Sequence, residues 1–295
     1  MRALTVFLLA GCLLLTVAFY SLEQQSPASA EEGFDPIGYR TDETLFLGKP
    51  RAAYLEEIEA LEDRDIEEFF RQTVYKVEYS LPGYKKTGLN KFKNSFTFYI
   101  LNKKNIGESK VNFIREILMS LREITEVMPV ELKIRNRNIR LFNQVNVQIE
   151  SLREKEFLNL VNKMKRENNI YNQSLFSGKY CFALVWLDEK LGLIKNSIVS
   201  ILDKNNSNHY MSCSFEEIIQ IYGISNDSNL IKDSILSSNE NVVYYHGVDI
   251  FILRMLYNKT IENGMNFSDI DKLLRDVISE TREWFELCFR TRACE

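Results

Sequence analysis

Two hydrophobic periods follow one another along this chain, and their order limits the folds it can adopt. Residues 96–101 form an aromatic and β-branched run that is typical of a β-strand. Residues 109–126 place their apolar side chains at helical spacing along one face. Two strand-like runs, 181–187 and 194–202, then follow each other with no helix between them. Because helices and strands mix without strict βαβ alternation, the sequence predicts an α+β fold with a mixed sheet packed on helices.

The same patterns predict the remaining elements. Helices are predicted over residues 52–74, 109–126, 155–167, 248–257 and 268–284, strands over 96–101, 130–134, 145–149, 181–187 and 194–202, and a loop over 205–208.

The N-terminus has the layout of an export signal. Arg2 precedes an uncharged, mostly apolar run over residues 3–20. Three outcomes are open: cleavage after Ala30, lipidation of Cys12 within the lipobox-like residues 9–12, or retention as an uncut membrane anchor. All three predict that the rest of the chain lies outside the cytoplasm.

Composition divides the chain into three parts. We expect a signal peptide or anchor over residues 1–30, a linker over 31–50, and a single α+β domain over 51–295 with C-terminal helices. The net charge is −4, and charges of both signs are interspersed. The chain has no excess of basic residues of the kind that would indicate a nucleic-acid partner.

Four cysteines lie beyond the signal: Cys181, Cys213, Cys288 and Cys294. An even number in an oxidising compartment predicts two disulfides, whereas buried free thiols are the alternative. The spacing favours Cys181–Cys213 and Cys288–Cys294, although the sequence alone allows three pairings. No pair has the C-x-x-C spacing of zinc or redox sites.

One segment has the skeleton of a zinc-protease helix without its zinc ligands. Zinc proteases of one group carry H-E-x-x-H-x-x-G-x-x-H, where the Glu activates a zinc-bound water. The frame fits here as Glu216, Glu217, Gln220, Gly223 and Asn226. The catalytic Glu and the turn Gly are kept, and all three histidines are replaced.

The replaced ligands argue against a metal. Zinc favours imidazole, thiolate and carboxylate, and the amide oxygens of Gln220 and Asn226 are weak ligands. Adding Asp227 gives an oxygen-rich set, but one or two carboxylates make a poor calcium cage. We therefore expect no metal and no cofactor.

An ordinary helix explains the same residues without any site. Ser214 and Glu217 form the S-x-x-E pattern of a capping box, and Gly223 ends the helix in the left-handed conformation. Ile219 and its apolar neighbours supply a buried face.

The pattern also resembles a family. C-x-x-E-E-I-x-Q-x-x-G-x-x-N-D-S, from Cys213 to Ser228, is followed by Asp233-Ser234-Ile235 and by Asp249 in D-x-x-x-L-R-x-L-Y. This is similar to a bacterial family of unknown function whose members are exported proteins and candidate lipoproteins, and it covers roughly residues 180–280. Tyr222 stands where that family usually has Leu. The resemblance implies a zincin-like fold, similar to that of zinc metalloproteases, with a degenerate ligand set.

Two functions follow as hypotheses. In the first, a non-catalytic cell-envelope protein uses a zincin-like groove to bind a peptide or another envelope component, with a possible membrane tether at its N-terminus. The predicted binding residues are then Glu216, Gln220, Gly223, Asn226 and Asp227. In the second, the protein is an atypical, peptidase-like hydrolase in which Glu217, with or without Glu216, acts as general base. The missing histidines favour the first.

Overall fold

A computed structural model provides the coordinates of the chain. It describes residues 45–46, 49–77, 86, 88–101, 107–131, 146–167, 181–188, 193–202, 207–237 and 242–291. The expected signal, Cys12 and Cys294 lie outside these residues, so the predictions that concern them stay predictions.

The described residues contain seven α-helices. They are α1 (Arg51–Glu59), α2 (Asp63–Val74), α3 (Glu108–Thr125), α4 (Glu154–Glu167), α5 (Ser207–Ile221), α6 (Gly247–Leu256) and α7 (Phe267–Phe285), and α7 continues into a π-helical segment, Glu286–Arg290. None of the helices described is long and apolar enough to cross a membrane.

Seven strands accompany them. They are β1 (Leu45–Phe46), β2 (Lys49–Pro50), β3 (Ser95–Leu101), β4 (Met128–Glu131), β5 (Asn146–Leu152), β6 (Cys181–Asp188) and β7 (Leu193–Leu202). The first two form a short antiparallel pair, and the other five form one sheet in the order β4-β3-β5-β7-β6.

The five-stranded sheet is mixed. Strands β4, β3, β5 and β7 run parallel to one another, and the edge strand β6 runs antiparallel to β7. The mixed class of helices and sheet that the sequence predicts is confirmed. The order of the strands comes from long-range pairing, which local periodicity does not encode.

The two faces of the sheet pack against different helices. On one face, Cys181 of β6 is joined to Cys213 of α5, and the ring of Phe215 on α5 meets that of Phe113 on α3. On the other face, Phe182 of β6 contacts Phe157 of α4. Since adjacent residues of a strand point to opposite faces, Cys181 and Phe182 place α5 and α4 on opposite sides of β6.

A helical layer continues the core away from the sheet. Helix α6 is buried at every residue except Arg254, and the rings of Phe251 on α6 and Phe285 on α7 lie 5.2 Å apart. Tyr54 of α1 packs against Phe289 after α7. One continuous buried cluster joins this layer to the sheet.

Two local predictions are wrong. The predicted helix over 52–74 is two helices, because the chain turns at residues 60–62, where Arg282 donates hydrogen bonds to the carbonyls of Ile58 and Leu61. The predicted loop over 205–208 is wrong at its end, since α5 already begins at Ser207. The first error missed a break between two helical runs, and the second took the polar residues at the start of α5 for a loop.

Candidate functional site

Helix α5 carries the motif, and it begins earlier than the motif suggests. It starts at Ser207, so Ser214 lies inside the helix, where its hydroxyl donates to the carbonyl of Tyr210 at 2.7 Å. Serine side chains bond backward in this way within helices. The interpretation of Ser214 and Glu217 as a capping box is therefore wrong.

The predicted site residues of α5, Glu216, Glu217 and Gln220, share one helical face. At 100° per residue, they fall within about a third of the circumference together with His209 and Cys213. The His209 Nε2 atom lies 3.7 Å from the Cys213 sulfur, which is bonded to β6. This polar face of α5 therefore lies beside the edge strand of the sheet.

Burial differs along this polar face. Glu217 is 4% exposed and Gln220 is 7% exposed, whereas Glu216 is half-buried. The Gln220 amide donates to the Asp227 carboxylate at 3.3 Å. Two of the predicted binding residues are thus brought together across the turn that ends α5.

Gly223 makes that turn possible. Its φ is +114°, in a region that favours glycine. A Cβ atom at this position would lie 2.2 Å from the carbonyl oxygen of Asn90, so a side chain would collide with backbone. The predicted role of Gly223 as the positive-φ residue after the helix is confirmed.

Asn226, at the third ligand position of the frame, contacts the end of α2. Its amide Nδ2 donates to the carbonyl of Gln72 at 2.9 Å, and its backbone N–H donates to the carbonyl of Thr73 at 3.1 Å. The last carbonyls of a helix have no partner within the helix. Asn226 therefore supplies hydrogen bonds that α2 cannot make for itself.

The second half of the family pattern forms a buried cluster. Asp249 is fully buried and accepts hydrogen bonds from the Ser234 hydroxyl, at 2.5 Å, and from the backbone N–H groups of Ile235 and His246, at 3.1 and 2.8 Å. Burial raises the pKa of Asp249 to about 6, although these hydrogen bonds favour the charged form. The sequence gives these residues only as part of a pattern, and their contact was not foreseen.

A second carboxylate meets the N-terminus of α6. Glu57 of α1 accepts a hydrogen bond from the Gly247 N–H at 2.6 Å and another from the Lys49 ammonium at 2.6 Å. Burial acts to raise the pKa of Glu57, but hydrogen bonds from His246, Lys49 and Gly247 outweigh it and lower the pKa to about 2. Anionic groups are favoured at this end of a helix.

The frame on α5 does not fit zinc. Gln220 and Asn226 offer amide oxygens, and the Asn226 amide is engaged with the backbone of α2. Across the residues that the structure describes, no group of three or more His, Cys, Asp or Glu side chains is arranged to hold a metal ion. That the frame residues bind a ligand other than zinc stays a prediction.

The disulfide between Cys181 and Cys213 is confirmed, with Cα atoms 5.8 Å apart. It joins β6 to α5 and indicates an oxidising compartment. Cys288 is also disulfide-bonded. Its predicted partner, Cys294, lies outside the described residues, so that pairing stays a prediction.

Sequence reasoning missed one pair of side chains near the frame. The Lys86 Nζ atom donates to the Ser225 hydroxyl oxygen at 2.7 Å and to the carbonyl of Val74 at 2.6 Å. Burial lowers the pKa of Lys86 to about 7. No local signal indicates this pair, because the two residues are 139 positions apart in the chain.

Comparison with known proteins supplies a family and no activity. No curated protein and no solved structure gives a significant match. A family model described as "Protein of unknown function (DUF2927)" matches residues 63–276, which include the helix α5, the turn at Gly223 and the Asp249 cluster. This confirms the predicted membership in a family of unknown function, and the chain belongs to the DUF2927 family.

Proposed function

We propose that this protein is an exported cell-envelope protein that uses a zincin-like scaffold to bind a peptide or another envelope component, without catalysis by the frame residues on α5. The candidate site is the polar face of α5 together with the neighbouring edge strand β6. Glu216, Gln220 and Asp227 are its proposed binding residues, and Gly223 and Asn226 hold the turn that positions them.

The observation that carries the proposal is the contact made by Asn226, the residue at the third ligand position. In the zinc-protease frame this residue reaches back to the metal, whereas here the Asn226 amide donates to the backbone of Gln72 at the end of α2. The Nδ2 atom holds the Asn226 side chain at the end of α2, and the Oδ1 atom that it leaves to a metal is a weak zinc ligand. Glu217 then has no metal-bound water to activate, which favours binding over hydrolysis.

The edge strand supports a peptide as the bound partner. Within the described sheet, β6 pairs with β7 on one side and with no strand on the other. Such an edge presents backbone N–H and C=O groups to which an extended peptide adds as a further strand. The Cys181–Cys213 disulfide fixes this edge beside the polar face of α5.

Export is supported by two independent features. The disulfide indicates an oxidising compartment. The apolar run after Arg2 has the layout of an export signal. Cleavage, lipidation at Cys12 and retention as a membrane tether all agree with an envelope location.

Elemental analysis tests the non-catalytic reading of the frame. Protein refolded with excess zinc and then desalted should retain much less than one equivalent. One retained equivalent that is lost in Glu216→Ala would overturn the proposal and move the protein to the metallohydrolases.

A peptide assay separates binding from the hydrolase alternative. Fluorescent peptides bearing an internal quencher report binding by anisotropy and cleavage by loss of quenching. We expect binding in the wild type and in Glu217→Gln, with no cleavage that depends on Glu217. Cleavage that Glu217→Gln abolishes would establish Glu217 as a general base instead.

A further inference from the structure

We propose that Ser225 and Lys86 form a serine–lysine dyad, a nucleophilic site for acyl transfer from esters or amides. The site lies at the C-terminal end of α2 and does not use the frame residues on α5. Its function is therefore independent of whether the frame binds a peptide.

The geometry of the pair meets the requirement for a nucleophile and its base. The Lys86 Nζ and Ser225 Oγ atoms are 2.7 Å apart, within hydrogen-bond reach. A third group orients the base, because Lys86 also donates to the Val74 carbonyl at 2.6 Å. Ser225 is half-buried, so its hydroxyl lies near the surface rather than in the core.

The backbone holds the serine rigidly in place. The Ser225 N–H donates to the Thr73 carbonyl at 3.0 Å, and the Ser225 hydroxyl donates to the Lys76 carbonyl at 2.7 Å. Turning that hydroxyl toward a neutral Lys86 amine exchanges one acceptor for another without moving the chain.

The protonation state of Lys86 agrees with this role. Burial lowers its pKa from 10.5 to about 7, so a substantial fraction of the amine is neutral at neutral pH. A lysine with its ordinary pKa is almost wholly protonated there and accepts no proton.

The reaction balances without a cofactor. Lys86 takes the hydroxyl proton as the Ser225 Oγ atom bonds to the carbonyl carbon, and the ammonium returns that proton to the departing alkoxide or amine. Water then cleaves the acyl ester on Ser225, with Lys86 again accepting and returning the proton.

The alternative is that Lys86 only closes the end of α2, where cations are favoured. Lys86→Arg separates the two roles. Arginine keeps a cationic donor for the Val74 carbonyl, but it stays protonated and cannot act as a base.

A serine-reactive fluorophosphonate provides the test, with the adduct located by mass spectrometry. We expect one adduct on Ser225 and none on Ser225→Ala. The labelling rate should rise as pH passes through about 7 and fall about a hundredfold in Lys86→Arg. Ser228→Ala is the matched control, because Ser228 lies on the same loop and donates to Gln72 instead of contacting a lysine.

Three results would overturn the proposal. They are the absence of an adduct on Ser225 up to pH 9, equal labelling of Ser228, and a Lys86→Arg rate equal to that of the wild type. The thermal unfolding midpoint of each variant is measured in parallel. If Lys86→Arg unfolds, Lys86→Met decides by the same criteria on the folded fraction.

Discussion

The Ser234 hydroxyl donates to the buried Asp249 carboxylate at 2.5 Å, and this contact fastens the chain after α5 to the first turn of α6. Within the same stretch, the Ser228 N–H donates to the Leu236 carbonyl at 2.8 Å, which joins the two ends of the loop over residues 228–236. At its other end, Asn226 is fastened to α2. Much of the family pattern thus serves to hold one loop between two helices.

Removing the Asp249 carboxylate should destabilise the protein strongly. Asp249→Ala leaves three donors without their acceptor: the buried groups on Ser234 and Ile235 and the half-buried N–H of His246. We expect the free energy of unfolding to fall by roughly 3 kcal/mol or more, measured by urea denaturation. Ser234→Ala is the control and should cost less, about 1–2 kcal/mol, because Asp249 keeps two of its three donors, although the Leu236 N–H loses the Ser234 hydroxyl as its acceptor. Equal losses in both variants would contradict this account.

The raised pKa of Asp249 predicts how stability changes with pH. Its pKa is about 6 in the folded protein and 3.8 ordinarily, so the native state binds this proton more tightly than the unfolded chain does. The Asp249 contribution to the free energy of unfolding should therefore fall as pH rises from about 4 to 6 and stay constant above. Asp249→Asn does not titrate, so subtracting its profile from that of the wild type isolates this slope. If the difference is flat over this window, or rises, the pKa of the Asp249 carboxyl is not raised in the folded protein.

The sequence predicted the class of fold because apolar periodicity is a local property. The strands β3, β6 and β7 and the helices α3, α6 and α7 all lie within a few residues of their predicted bounds. Strand order was not predictable, since it depends on pairing between strands that are far apart in the chain.

The candidate site shows the same limit at single residues. Gly223 was predictable, because a positive φ at a helix end favours glycine. Asn226 was not, because its partner Gln72 lies 154 positions away. Ser214 matched a capping pattern and still lies inside a helix, since an S-x-x-E sequence does not specify where the helix begins.

The disulfide between Cys181 and Cys213 should contribute substantially to stability. The two residues are 32 positions apart, and the chain-entropy model gives roughly 3–4 kcal/mol for a loop of this length. We compare unfolding of the wild type with that of the Cys181→Ala/Cys213→Ala double variant. The difference should be close to this value, and thiol titration of the unreduced, denatured wild type should detect neither cysteine. Two free thiols that map to these positions would refute the bond.

Ile219 tests the buried face of α5. Its side chain is fully buried within the core cluster, so Ile219→Asp places an unpaired carboxylate among apolar groups. We expect a loss of about 4 kcal/mol or more, or a protein that does not fold. Ser212→Asp, at a half-buried position on the same helix, is the matched control and should be much milder. If the thermal midpoint of Ile219→Asp is close to that of the wild type, this face of α5 is not buried in the core.

Two buried tyrosines predict opposite outcomes for the same substitution. The Tyr222 hydroxyl is buried and has no hydrogen-bond partner among the described residues, which is unfavourable for a polar group. The Tyr257 hydroxyl accepts from the Phe92 N–H at 3.1 Å and donates to the Tyr222 carbonyl at 3.0 Å.

Tyr222→Phe should therefore leave the free energy of unfolding unchanged or raise it by about 1 kcal/mol, since it removes an unsatisfied group at nearly constant shape. Tyr257→Phe should lower it by about 1–3 kcal/mol, because the Phe92 N–H is left buried without its acceptor. Urea denaturation at a fixed pH measures both, and each variant serves as the control for the other. If Tyr222→Phe proves as destabilising as Tyr257→Phe, the Tyr222 hydroxyl must have a bonding partner, and a buried water between it and the neighbouring backbone would be the first to look for.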